Sequence, residues 1–309
     1  MRCDLHVHSL RSGAVDLPLF CHVGRESYSE PREVYDTALR RGMDIVTLTD
    51  HDTIEGALEL ASLPGTFLSE EVTVELPGDR ELHVGVLDIT ESQHARIQAL
   101  RKDPEALFAY LREKGICAVI NHLFSALTGN RKTEDFAFAL SSRIPLIEAR
   151  NGMMNRKIND YAVEVGAECA LTPIGGSDAH ALASVASAYT VVEGARTKEE
   201  FLLGLRRGAA FPGGEHGSYA KLTRDVSLVF AGGYRESFLE ALSSPAAFAR
   251  LGVLVAALPL MPLIPVVTAA IYTHEKLFAD HHHRLYRALV DPARPTKGAW
   301  TAAGSPVQL

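Results

Sequence analysis

Three short motifs in this chain place histidine close to aspartate, directly after an apolar stretch. The first, second and third motifs are Asp4-Leu5-His6-Val7-His8-Ser9, Thr49-Asp50-His51-Asp52 and Gly176-Ser177-Asp178-Ala179-His180. Imidazole and carboxylate side chains are ligands that suit zinc and manganese. Segments that are far apart in the sequence but share this pattern are expected to meet at one end of a sheet or barrel. The motifs therefore predict a hydrolytic site that holds two or three metal ions.

The first motif is predicted to lie on a short strand from Cys3 to Val7. Because residues i and i+2 of a strand point to the same face, His6 and His8 can reach one metal ion. Two surface histidines on an edge strand are the alternative explanation for this pair taken alone. The second and third motifs favour the metal site.

The elements that position these motifs alternate between helix and strand. Apolar stretches predict strands over 44–49, 66–69, 82–87, 116–120, 146–149, 170–174 and 189–192. Start and stop signals predict helices over 31–41, 103–115, 155–165 and 198–207, with Ser29 as the N-cap of the first. Alternating strands and helices indicate parallel strands with helices packed outside, and about seven such units favour a closed β/α barrel.

The chemistry of a β/α barrel lies at the C-terminal ends of its strands. His51, Glu71, His122 and Asp178 all follow the ends of predicted strands or lie just beyond them. The fold pattern and the candidate ligands therefore agree.

The composition is typical of an ordered globular protein, with 47% hydrophobic and 22% charged residues in a chain of 309. A formal net charge of −7 argues against a broad nucleic-acid surface. Bound metal ions would reverse the local sign, so a small phosphorylated substrate stays compatible. The cysteines Cys3, Cys21, Cys117 and Cys169 form no CxxC pair, and the chain begins directly with a polar motif. Both features indicate a reduced, cytoplasmic location without a signal peptide.

The character of the chain changes near residue 215. The run from Gly213 to Ser218 is predicted to be a linker between a barrel over 1–212 and a helical, apolar C-terminal extension over 213–309. Leu251–Tyr272 contains no charged residue, but its prolines disrupt a continuous helix. We expect it to dock on the barrel or on a second subunit, with membrane association as the alternative. His281-His282-His283 is expected to be a solvated face.

Taken together, DLHVHS, TDHD, a glutamate after a strand, LHV, a strand-end NH and GSDAH resemble the PHP (polymerase and histidinol phosphatase) family. The resemblance covers about residues 1–212. It implies an α/β fold, a distorted (β/α)7 barrel, with two or three divalent metal ions of zinc, manganese or iron. It also implies hydrolysis of a phosphoester, the reaction of many members of the family.

The resemblance further implies a set of metal ligands. They are His6, His8 and Asp178 for a first ion, Glu71 as a bridge to a second, His83 and His122 for that second ion, and His51 and His180 for a third. Many members have a further His or Asp shortly after the first motif, where Ser12-Gly13-Ala14 offers none. Glu26 takes that position when the chain is aligned on the helix that follows. Asp16 and His22 are competitors in the same loop.

The expected reaction is the attack of a metal-activated water on a phosphate ester such as a nucleotide, an oligonucleotide or a sugar phosphate. Asp50 or Asp52 is expected either to orient His51 or to cap the next helix. Arg150 is a candidate for phosphate contact, and so are Arg11, Arg25, Lys132 and Arg156, although each is alternatively a surface charge.

Two other functions fit the same sequence. An amidohydrolase-like enzyme would keep the metal ions and cleave a different bond. A membrane- or partner-docked module with a partly lost metal site would use Leu251–Tyr272 as its contact surface.

Overall fold

The computed structural model describes residues 1–13, 24–78, 80–126, 132–243, 252, 255 and 258–291. Asp16, Cys21 and His22 lie outside these ranges, as do parts of Leu251–Tyr272. Cys3, Cys117 and Cys169 are free thiols.

The strands form two sheets in an α/β fold. The strands are β1 (Arg2–Cys3), β2 (Ser69–Leu76), β3 (Arg80–Leu87), β4 (Cys117–Ile120), β5 (Leu146–Asn151), β6 (Thr172–Gly176), β7 (Ala188–Val192) and β8 (Ala210–Gly214). The larger sheet has the order β2-β3-β4-β5-β6, and the smaller has the order β1-β7-β8. Strands β4, β5 and β6 are parallel, whereas β3 is antiparallel to both of its neighbours.

The prediction of a closed barrel of parallel strands is wrong, because the described strands form two sheets that contain antiparallel pairs. Within the described ranges, single bridges join the sheet regions, between Val7 and Ala179, Val46 and Thr66, and His51 and Glu71. Only a short turn separates β2 from β3, and so short a connection forces antiparallel pairing. The segment predicted as a strand over 44–49 contributes a bridge but no continuous strand.

The position of Glu71 also differs from the prediction. Strand β2 begins at Ser69, so Glu70 and Glu71 lie inside a strand and not after one. The β2–β3 hairpin extends past the end of β4, because Val84 pairs with Ile120 and Thr73 pairs with His83. This overhang carries His83 just past the end of β4. Glu71 pairs with Gly85, which pairs with Val119, so Glu71 lies one residue before that end.

Helices pack against the sheets and against one another. They are α1 (Pro31–Arg40), α2 (Glu55–Glu59), α3 (Glu91–Leu100), α4 (Pro104–Glu113), α5 (Thr133–Ser141), α6 (Arg156–Glu168), α7 (Lys198–Arg206), α8 (Tyr219–Ser243), a 3-10 helix (Leu258–Leu263) and α9 (Ile264–Val290). The four predicted helices are confirmed as α1, α4, α6 and α7. The N-cap of α1 is Glu30, not Ser29.

An apolar core lies beneath the end of the sheet that carries the motifs. It includes Val119 of β4, Leu146 of β5, Ile174 of β6 and Phe201 of α7, all buried. Val119 lies two positions before Asn121, at the end of β4, and Leu146 lies two positions before Glu148 of β5. Because residues two apart on a strand point to the same face, each apolar side chain lies one layer below a polar one. This packed apolar core therefore supports the end of the sheet at which the three motifs lie.

The C-terminal part begins differently from its prediction. Strand β8 ends at Gly214, so the first two residues of the predicted linker belong to a strand. Helix α9 packs against α8, α5 and α6. The division into 1–212 and 213–309 stays a prediction.

The C-terminal part also contains the apolar run Leu251–Tyr272 and the histidine run His281–His283. In the described part of the chain, no helix is both long and apolar enough to cross a bilayer. A contact of Leu251–Tyr272 with a membrane or a second copy stays a prediction. The expectation of a solvated face over 281–283 is wrong for His282, which is fully buried. It is buried because α9 turns this side chain toward Phe136 of α5.

Candidate metal centre

The residues predicted as metal ligands converge in one place. Their side-chain nitrogen and oxygen atoms form overlapping groups of three, and within each group the atoms lie within 4.8 Å of one another. The groups are His6–His8–Glu71, His6–His122–Asp178, His8–Glu26–His51, His8–Asp178–His180 and His51–Glu71–His83. All nine candidates therefore take part.

Glu71 lies at the centre of these groups, and its two carboxylate oxygens face different rings. Oε2 lies 3.1 Å, 3.4 Å and 3.3 Å from Nε2 of His6, His8 and His51. Oε1 lies 3.2 Å from Nε2 of His122 and 3.4 Å from Nδ1 of His83. A carboxylate with this arrangement can bridge two cations.

The first and third motifs meet through Asp178. Its Oδ1 lies 3.5 Å from Nε2 of His6 and 3.4 Å from Nε2 of His8. The ring of His180 donates from Nδ1 to the backbone carbonyl of Asp178 at 3.0 Å. This hydrogen bond leaves Nε2 of His180 available as a ligand.

These separations fit a divalent metal ion. Two ligands of a tetrahedral cation with bonds of about 2.1 Å lie about 3.4 Å apart. Nδ1 of His83 is buried without a hydrogen-bond partner although Glu71 is 3.4 Å away, as expected of a nitrogen that faces a cation. The rings of His8 and His180 stack with centroids 4.4 Å apart. Imidazoles crowded around carboxylates are a typical donor set for zinc, manganese or iron.

Glu26 lies where the sequence predicted a substitute ligand. Its Oε2 is 3.8 Å from Nε2 of His51 and accepts a hydrogen bond from Oγ of Ser12 at 3.1 Å. Ser12 Oγ also accepts from the backbone N–H of His51 at 3.1 Å and lies 3.0 Å from Nδ1 of His8. Ser12, which offered no ligand in the sequence, therefore holds three of the candidate ligands in place.

Sequence reasoning missed Glu148, the buried residue that orients two ligands. Its Oε1 accepts from Nδ1 of His6 at 2.8 Å, and its Oε2 accepts from the backbone N–H of His122 at 3.0 Å. Asn151 donates from Nδ2 to Glu148 Oε2 at 2.9 Å and to Asp178 Oδ2 at 3.0 Å. The signal was present as a glutamate inside the apolar run of β5.

Asn121 was also missed. Its Nδ2 donates to Oε1 of Glu71 at 2.9 Å, and its backbone N–H donates to the carbonyl of His83. It therefore fixes the orientation of the Glu71 carboxylate from the end of β4.

Buried aspartates tie the three motifs together. Asp4 accepts from the backbone N–H and the hydroxyl of Ser177, which joins the first motif to the third. Asp50 accepts from the backbone N–H of Ser9 at 2.6 Å and from its hydroxyl at 2.7 Å, which joins the second motif to the first.

The contacts of Asp50 and Asp52 differ from both predicted alternatives. Asp50 binds Ser9, and so it neither orients the ring of His51 nor caps α2. Asp52 accepts from the backbone N–H of Thr73 at 2.9 Å and pairs with Arg101 at 3.2 Å. The physical reason is that β2 and the first motif lie on either side of the second motif and supply donors closer than His51.

The candidate phosphate contacts lie in other networks. Arg150 donates from Nη1 to the carbonyl of Gly214 at 2.7 Å, which joins β5 to β8. The remaining guanidinium groups pair with carboxylates, Arg11 with Glu59, Arg25 with Glu236 and Arg156 with Asp160. The backbone N–H of Lys132 donates to Asp135. Their contact with a phosphate stays a prediction.

The backbone of the site is strained at two of the candidate ligands and tightly packed at a third. His122 and Asp178 have φ angles of 25° and 52°, in the left-handed region that non-glycine residues rarely adopt. Gly176 lies against His6, and a Cβ on residue 176 would come within 2.3 Å of the Cβ of His6. The contacts around these residues hold the backbone in these conformations.

Burial and neighbouring charges shift the pKa values of the deeply buried candidate ligands in different directions. Burial opposes charge on Glu71, but His6, His51 and His83 hold its pKa well below the usual range. Burial also opposes charge on His6, and the carboxylates of Glu71, Glu148 and Asp178 nonetheless raise its pKa well above normal. For His8, burial and the neighbouring His180 lower the pKa to about 4. The ring of His8 is therefore neutral, the form in which imidazole binds a metal ion.

The pKa values of two more exposed candidate ligands, Glu26 and His83, are both raised. Burial raises the pKa of Glu26 to about 7. Burial opposes charge on His83, but Glu71 raises its pKa to about 9. If a cation bound to both groups near neutral pH, each would have to release its proton.

A family model independently covers the third motif. The model described as PHP-associated matches residues 155–210, which contain α6, β6, Asp178 and His180. The resemblance to the PHP family is confirmed. The matched residues also include β7 and α7, and they end at the first residue of β8.

Individual proteins are similar to parts of this chain. An uncharacterised protein of Methanocaldococcus jannaschii is 27% identical over 134 residues, which are 41% of this chain and 70% of that protein. The crystal structure of PsfC from Pseudomonas syringae has a TM-score of 0.50 and 20% identity, and the alignment covers 77% of this chain and 98% of PsfC. At this identity the likeness shows the fold alone.

A second solved structure has a lower TM-score. A two-domain protein from Bacteroides vulgatus, which contains a predicted PHP-like metal-dependent phosphoesterase, has a TM-score of 0.46 and 21% identity. The alignment covers 68% of this chain and 62% of that protein, so the chain spans less than two thirds of its length.

Proposed function

We propose that this protein is a metal-dependent phosphoesterase that hydrolyses a small phosphate ester. The observation that carries the proposal is the buried carboxylate of Glu71, whose two oxygens face separate sets of histidines. Divalent metal ions bound there supply Lewis acidity and lower the pKa of water, which is the chemistry that phosphoester hydrolysis requires.

We assign the ligands of two or three ions of zinc, manganese or iron to three groups. The first comprises His6, His8 and Asp178, the second His83 and His122 with Glu71 as the bridge, and the third Glu26, His51 and His180. Support comes from ligand-atom separations of 3.1–3.8 Å, from His6 and His8 to Asp178, from His83 and His122 to Glu71, from His6 to Glu71 and from Glu26 to His51. His180 groups with His8 and Asp178, so its place in the third group rests on the family resemblance. The neutral ring of His8 and the ionised carboxylate of Glu71 are the protonation states that such ions need.

The outer group gives the site its access to substrate. The side chains of Glu26, His51 and His180 are 21%, 19% and 27% exposed, whereas those of His6 and His8 are 1% and 0% exposed. A phosphate ester therefore approaches from the side of Glu26 and His180. Its leaving group (nucleoside, oligonucleotide or sugar) would remain at this exposed side.

The proposal is tested on one preparation by elemental analysis and by a screen of phosphate esters that includes p-nitrophenyl phosphate. We expect at least two metal ions per chain and phosphatase activity, both lost in His8→Ala. The exposed His281→Ala is the control and should keep both. Near wild-type hydrolysis in His8→Ala would refute the proposal. Cleavage of amide substrates without phosphatase activity would favour the amidohydrolase-like alternative.

A further inference from the structure

Helix α9 inserts a buried carboxylate next to a metal-ligand turn. Glu275 is 5% exposed. Its Oε1 accepts from Oγ of Ser125 at 3.2 Å and from the backbone N–H of Ala126 at 3.1 Å. A carboxylate is costly to bury unless hydrogen bonds satisfy it, and Ser125 and Ala126 supply donors to this one.

The turn in question carries His122. The backbone N–H of Ser125 donates to the carbonyl of His122 at 2.8 Å, which closes the turn. At the other end, the backbone N–H of His122 donates to Glu148. His122 has a φ of 25°, so the turn holds a conformation that an unsupported chain would leave.

Apolar packing strengthens the same contact. Phe124, in the middle of the turn, is fully buried. Its ring centroid lies 6.0 Å from that of His283 and 6.2 Å from that of Tyr286, both on α9. The turn is thus enclosed between β5 and α9.

Helix α9 is itself anchored elsewhere, which makes it a fixed support. Asp280 binds Lys157 at 2.6 Å and accepts from the hydroxyl of Tyr161 at 2.7 Å. Arg287 pairs with Glu164 at 2.9 Å. These contacts to α6 hold the helix without using Glu275.

We propose that Glu275 is a positioning residue for His122, and that α9 is therefore part of the metal centre. This inference rests on the proposed metal-dependent function. Without the carboxylate, the N–H of Ala126 loses a buried acceptor and the strained turn relaxes. Nε2 of His122 then moves from its position 3.2 Å from Glu71. The ion shared by Glu71, His83 and His122 should bind more weakly, while the other ions stay bound.

The test compares Glu275→Ala, Glu275→Gln and Asp280→Asn by metal content after dialysis against graded chelator and by thermal denaturation. Asp280→Asn removes the negative charge from an α9 contact that does not touch the turn, so it is the matched control. We expect Glu275→Ala to weaken one ion by about 10–100-fold. Glu275→Gln keeps one acceptor oxygen and should bind this ion with intermediate affinity. Asp280→Asn should lower the melting temperature and keep wild-type metal affinity.

A double-mutant cycle separates positioning from stability. His122→Ala should lose the same ion, and adding Glu275→Ala should weaken metal binding no further. Wild-type affinity in Glu275→Ala, equal loss in Asp280→Asn or additive losses in the cycle would overturn the inference and leave the proposed function intact. If Glu275→Ala does not fold, wild-type affinity in Glu275→Gln overturns it. A wild-type chain that binds no metal overturns the proposed function, and this inference with it.

Discussion

Oε1 of Glu148 accepts a hydrogen bond from Nδ1 of His6 at a distance of 2.8 Å. This contact fixes the proton on Nδ1, so that Nε2 keeps its lone pair for a metal ion. In Glu148→Gln, an amide N–H facing Nδ1 would favour the opposite tautomer. We expect metal affinity to fall by about 10–100-fold while the fold is retained. Competition with a chromophoric chelator measures this change.

The matched control for this prediction is Glu113→Gln, at a side chain that is 70% exposed. It should keep wild-type affinity. Unchanged metal binding in Glu148→Gln would show that the ring of His6 is oriented without the carboxylate.

The neighbouring glutamates of β2 should behave in opposite ways. Glu71 faces the histidine cluster, whereas Glu70 lies 2.9 Å from Nδ1 of His94 and accepts from Gln98 at 2.8 Å. We expect Glu71→Gln to lose metal and hydrolysis, because no charged bridge remains among the imidazoles. Glu70→Gln should keep both. Elemental analysis of the two variants checks the prediction, and equal losses would contradict it.

Metal uptake should release protons in a pH-dependent manner. Burial raises the pKa of Glu26 to about 7, and Glu71 raises that of His83 to about 9. A cation requires both groups deprotonated, so apparent affinity should fall as pH falls through these values. Calorimetric titration of the metal-free protein in buffers of different ionisation enthalpy counts the protons released.

Glu26→Gln provides the control for the proton count. The variant should release fewer protons than wild type at about pH 6, where Glu26 is protonated before binding. At about pH 8 the difference should be small, because Glu26 is then already ionised. A proton count that does not depend on pH would contradict this assignment.

Asp50 should make the stability of the metal-free protein depend on pH. Burial raises its pKa to about 6, above the value of about 4 in an unfolded chain. The folded state therefore holds the excess proton between about pH 4 and 6. The contribution of this carboxyl is complete below that window and is lost as pH rises through it, by about 3 kcal/mol in total.

Urea denaturation of wild type and Asp50→Asn, compared at several pH values, measures this contribution. The free energy of unfolding of wild type should fall relative to that of the variant as pH rises. Asp160→Asn, at a side chain that is 61% exposed, is the control. A difference between wild type and Asp50→Asn that stays constant with pH would contradict the prediction.

The sequence by itself determined the types of the candidate ligands and where several helices begin. The spacing of His6 and His8 places both rings on one side of the chain, and the structure brings both near Glu71. Pro31 and Pro104 each begin a helix that the sequence predicted. Such features depend on neighbours a few residues away, and so they can be read without the fold.

The tertiary structure decided which distant groups support the ligands. Glu148 is separated from His6 by 142 positions, and Glu275 from Ser125 by 150. The antiparallel β2–β3 hairpin, which replaces a parallel strand pair, brings Glu71 and His83 to the end of β4. Local propensity carries no information about these contacts, because they arise only when the sheets and α9 have packed together.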